Sequence, residues 1–145
     1  LNERAAPAAA ARAKELDDRS MRGEGTAEDA LEGLALVWPG YFAHPEQAPP
    51  MPPMQISIPC YAQTWDSIHQ HFARRTLAEA LPKVTVPTHF LLGAESPIPP
   101  RHGLETAALI PGAQVTVVTD CGHIPWLERS GLVRAALDKL VAQLN

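Results

Sequence analysis

Val115-Thr116-Val117-Val118-Thr119-Asp120-Cys121-Gly122-His123-Ile124-Pro125-Trp126-Leu127-Glu128 is the stretch that sets the fold. A β-branched run ends at a Gly-His pair, then meets a proline, two large apolar residues and a carboxylate. The run predicts a short buried strand over 114–119. Gly122 lets the chain turn sharply as it leaves that strand. His123 then falls at a strand's C-terminal edge, where open α/β sheets place their chemistry. Ser130 to Leu144 follows with the periodicity of a closing amphipathic helix.

Immediately upstream, Leu81-Pro82-Lys83-Val84-Thr85-Val86-Pro87 leads into Thr88-His89-Phe90-Leu91-Leu92, an apolar run closed by Gly93. This predicts a second buried strand. Pro99 to Ile110 predicts a crossover helix, and Pro111-Gly112-Ala113 a turn back into the last strand. A β-α-β unit of this kind makes parallel strands with a right-handed crossover. Two parallel strands with both faces covered do not make a sheet, so they have to join others.

The last 65 residues resemble the C-terminal segment of the α/β-hydrolase superfamily, closest to its capped, proline-iminopeptidase-like branch. The likeness lies in Gly122-His123-Ile124-Pro125-Trp126-Leu127-Glu128 and in the Val84-x-Val86-Pro87 lead-in to a strand ending at Gly93. It implies an α/β fold: a helical cap (1–80) followed by the last β-α-β-α unit of the hydrolase sheet (81–145). It also implies that His123 is general base and then general acid. Such a histidine takes a nucleophile's proton and returns it to the leaving group.

The histidine needs a carboxylate to fix its tautomer. The resemblance places that acid in the turn Gly93-Ala94-Glu95-Ser96-Pro97, where Ser96 stands at the usual position. Glu95 is the candidate in reach. Glu3, or an acid upstream of Leu1, is a second, and Asp120 a third, although Asp120 is well placed for an Asx-type turn. Glu128 is expected to brace or cap the final helix.

The first eighty residues predict three helices with a proline-rich crossing. Leu1 to Arg22 is rich in helix formers, with a helix over 3–20 that bends at Pro7. Met21-Arg22-Gly23-Glu24-Gly25 breaks it. Thr26 is an N-cap with Asp29 three residues on, an Asp version of the capping box. That helix runs to Trp38 and stops at Pro39-Gly40. Tyr41 to Pro59 carries six prolines, which excludes a helix and removes ladder donors from any strand. Tyr61, Trp65, Ile68 and Phe72 share one face of a helix over 61–75. Thr76 to Leu81 adds a short one.

This pattern suits the lid of a capped hydrolase. Trp38, Tyr41, Tyr61, Trp65 and Trp126 are the candidate substrate-binding side chains. Glu24, Glu28, Asp29 and Glu32 are candidates to hold a substrate's free amine, as the resemblance to iminopeptidases implies.

Composition excludes several classes. The chain has 145 residues, with a net charge of −4 and 19% charged residues, and so no basic footprint for nucleic acid. No apolar run approaches the roughly 20 residues of a membrane span. There is no signal-peptide pattern, and Cys60 and Cys121 are expected to be free thiols, which points to the cytoplasm. His69 and His71 lie two apart on a helix with no further ligand at metal spacing, so no metal and no cofactor are expected. No Gly-x-Ser-x-Gly occurs in the chain. In the hydrolase fold that nucleophile elbow precedes the cap. The expected partner is therefore an N-terminal hydrolase part carrying the nucleophile, on another chain or cut away. The expected substrate is a small molecule or peptide with an ester or amide bond. The other reading is a non-catalytic binding protein on a degenerate hydrolase fold.

Overall fold

The computed structural model describes residues 5–143. The fold is mixed α/β, predominantly helical, with one small parallel sheet. The chain divides into two compact units, 1–73 and 74–145. The sequence pattern places the change at 80/81; the short helix α4 (Thr76–Ala80) instead goes with the second unit.

In the first unit, α1 (Pro7–Met21) and α2 (Ala27–Val37) form an antiparallel hairpin. Pro7 is the first helical residue, where its missing N–H is no loss, so it starts α1 and does not bend it. Ala13 and Leu16 are buried, and Gly33 of α2 lies over Leu16. Alanine and glycine at the contact let the two backbones approach closely. Arg12 pairs with Glu32 at 2.8 Å and Arg19 with Asp29 at 3.1 Å along the seam.

Thr26 caps α2 as expected. Its hydroxyl accepts from Asp29 N–H at 3.1 Å, and Asp29 Oδ2 accepts from Thr26 N–H at 2.9 Å. Trp38 to Tyr41 and Pro45 to Gln47 are 3-10 turns, and the prolines that follow hold the chain open until α3 (Ile58–Ala73). No residue of α3 is buried.

In the second unit, β1 (His89–Gly93) pairs in parallel with β2 (Gln114–Val118), with His89 opposite Gln114 and Gly93 opposite Val118. The crossover helix α5 (Pro100–Ala107) packs on the sheet, with Gly103 over the Leu92 side chain. A four-residue helix, α6 (Pro125–Glu128), and α7 (Leu132–Ala142) complete the unit. The core is small: Ala107, Ile110, Cys121, Ile124 and Ala136.

The strands are less covered than their composition predicts. Phe90, Leu91 and Leu92 are half-buried and Val117 is exposed. Each strand has a single hydrogen-bonded neighbour among the described residues, so one edge of each is open and the faces are only partly roofed.

Candidate active site

β1 and β2 end side by side, and the loops that leave them are tied together at several points. After β1, Ala94 N–H donates to Val118 O at 2.9 Å and Glu95 N–H to Cys121 O at 3.0 Å. In return, Cys121 N–H donates to the Glu95 carboxylate at 3.0 Å. Glu95 thus grips Cys121 with both backbone and side chain. Such proximity requires glycine at the strand's end: a Cβ on Gly93 would run into the carbonyl oxygens of Gly122 and Cys121.

The loop after β2 is fixed from its other side. Gly122 N–H donates to Glu128 Oε1 at 2.8 Å. Glu128 therefore reaches back to the histidine loop from the end of α6 and does not cap α7, whose N-cap is Gly131. Asp120 takes the left-handed conformation, φ 54°, which aspartate tolerates better than most residues. Arg129 holds that turn, bonding the Asp120 carboxylate at 2.6 Å and the Thr119 and Asp120 carbonyls. The pairing keeps the Arg129 guanidinium more firmly protonated than usual, chiefly through its hydrogen bond to Asp120. Burial pushes the Cys121 thiol up, and the Glu128 carboxylate adds to the effect. Cys60 and Cys121 are both free thiols.

His123 projects from this clamped loop and is exposed. Ser96 Oγ lies 3.0 Å from its Nδ1. The same oxygen accepts from Ile98 N–H at 3.1 Å, closing a small serine turn. So the turn after β1 does bring a side chain to the histidine, and that side chain is Ser96. Glu95 comes to the same loop but turns its Oε2 to the Cys121 backbone. Asp120 is engaged by Arg129. Glu3 lies outside the described residues. Trp126, three residues after His123, is 63% exposed on α6.

The aromatic candidates of the first unit fall into two linked groups. Trp38 packs against Tyr41, with ring centroids 6.2 Å apart, and edge-on against Phe42 at 5.2 Å. Its indole N–H donates to Pro49 O at 2.7 Å, which anchors the proline-rich segment. Tyr61 and Trp65 meet edge to face at 6.1 Å on α3, and Trp65 lies 5.8 Å from His69. Burial, with the nearby Tyr61 second, raises the Tyr41 phenol above its ordinary range. Tyr61 and Trp65 remain exposed. The carboxylates expected to hold an amine are mostly engaged: Glu24 by Arg22, Asp29 by Arg19 and Glu32 by Arg12.

Among the described residues there is no group of histidines, cysteines and carboxylates able to hold a metal, and no helix is long and apolar enough to cross a membrane. No protein-family model, curated protein or solved structure matches the chain.

Sequence reasoning missed two supports of the histidine loop, the Glu95–Cys121 clamp and the Arg129 clamp. It also missed α6. A signal for α6 was present, since proline at a first helical position with Glu128 in the same turn is a helix start.

Proposed function

We propose that this chain is the lid and closing portion of an α/β-hydrolase, with His123 as its acid–base residue. The nucleophile is contributed by an N-terminal part outside this sequence. The assembled enzyme hydrolyses an ester or amide bond of a small molecule or peptide, aminopeptidase-type substrates included, through an acyl-enzyme. In the second unit, Trp126 furnishes an apolar wall for it. Free thiols fit a cytoplasmic protein.

One observation carries this reading: the residue after β1 at the usual acid position stands 3.0 Å from Nδ1 of the histidine after β2. A histidine base works when one ring nitrogen is oriented by a partner and the other meets the nucleophile. The braces on both sides of the loop support the same role, because a base must be held within a fraction of an ångström of its working place. His123→Ala in the complete assembly is expected to remove the turnover that depends on the imidazole, with circular dichroism unchanged. Hydrolysis that survives the substitution contradicts the reading.

A second reading, a ligand-binding protein on a degenerate hydrolase fold, is favoured by Ser96 itself. A serine hydroxyl carries no charge to stabilise an imidazolium. On that reading, ligand binding persists in His123→Ala and there is no hydrolysis to lose.

A further inference from the structure

We propose that Ser96 holds His123 in the tautomer that carries its proton on Nε2. The hydroxyl has one proton and two lone pairs. Ile98 N–H already occupies one lone pair at 3.1 Å. Donating the proton to Nδ1 at 3.0 Å satisfies the hydroxyl's one donor and leaves a single lone pair to solvent, and an imidazole lone pair is a strong acceptor. Accepting from an Nδ1–H instead would fill the second lone pair and leave the hydroxyl proton to find an acceptor in solvent. A carboxylate at this place has no such choice: ionised, it only accepts, and so forces the proton onto Nδ1. Which nitrogen carries the proton is set by the bond the other one makes.

The consequence rests on the hydrolase reading, although the tautomer itself does not. With Nε2 protonated, the nitrogen that should take the nucleophile's proton is already occupied. In a serine-type site, loss of the carboxylate that fixes the tautomer costs about 10⁴-fold in turnover. Ser96 is then a positioning residue that slows this site without abolishing its turnover. Ser96→Asp is expected to raise the assembled enzyme's turnover by orders of magnitude.

The test reads the tautomer directly. Nitrogen-15 spectra of the imidazole rings are recorded on the purified protein at alkaline pH. The His123 signals are identified by their absence in His123→Ala. The unprotonated ring nitrogen resonates far downfield of the protonated one. The expected wild-type pattern puts the downfield signal on Nδ1. Ser96→Asp moves it to Nε2, and Ser96→Ala draws the two signals toward each other. A wild-type spectrum with the proton on Nδ1, or one that neither substitution changes, overturns the proposal. A correct tautomer with no turnover gained in Ser96→Asp would instead count against the hydrolase reading.

Discussion

Gly93 closes β1 where the backbone of the histidine loop passes directly over it. The position admits no Cβ because the obstacles are carbonyl oxygens of Cys121 and Gly122 rather than a flexible side chain. Gly93→Ala is therefore expected to push the loop away, breaking the Glu95–Cys121 clamp. The expected cost is about 2 kcal/mol or more in urea denaturation, the scale of overpacking against unyielding neighbours. The His123 nitrogen pattern should lose its Ser96 signature in the same variant. At this scale the sequence placed Ser96 and His123 just beyond the ends of two neighbouring strands, because each of the two loops carries a glycine, Gly93 and Gly122, beside its strand's end. It was uninformative about Glu95 and Arg129. Their roles depend on which backbone groups two loops bring together, a three-dimensional fact that no local spacing encodes.

The elements themselves were nearly all legible. Proline and glycine punctuate the chain, and the helical or strand periodicity between them is clear. The capping box on α2 is the sharpest case. Thr26→Ala removes the acceptor for Asp29 N–H and should cost about 1 kcal/mol of stability in the first unit, read from helical circular dichroism in denaturant. Asp29 makes that hairpin acid-sensitive. The Thr26 backbone N–H holds its carboxyl below the usual range, helped by the Thr26 hydroxyl and Arg19 against the opposing effect of burial. A depressed folded value means that stability is complete above the ordinary carboxylate range and is lost as pH falls through the depressed value. Asp29→Asn should flatten that acid limb in a pH series of denaturation midpoints. What the elements did not reveal was their cover. The helix pattern puts Tyr61, Trp65, Ile68 and Phe72 on one apolar face of α3, yet Tyr61, Trp65 and Phe72 are exposed. Periodicity reports which face is apolar and is silent about what lies against it.

At the scale of the molecule, the second unit combines a well-braced loop with a thin core. Leu104, Leu127, Leu137 and Val141 are each between 45% and 57% exposed, and Trp126 more so. Full burial of one such aliphatic side chain contributes roughly 1.5–3 kcal/mol, so several kcal/mol of potential stabilisation are unrealised. A two-stranded parallel sheet seldom stands alone. Under the proposed hydrolase function, further strands of the same sheet would come from the part that carries the nucleophile. The measurement that bears on this most directly is denaturing electrophoresis with intact mass of the natively purified protein after treatment with a serine-reactive fluorophosphonate probe. A hydrolase of this kind should give labelled sequence containing a Gly-x-Ser-x-Gly segment, joined to this chain or held with it as a second polypeptide. If the 145 residues alone are monodisperse, fold cooperatively and take no label, the proposed hydrolase function is contradicted.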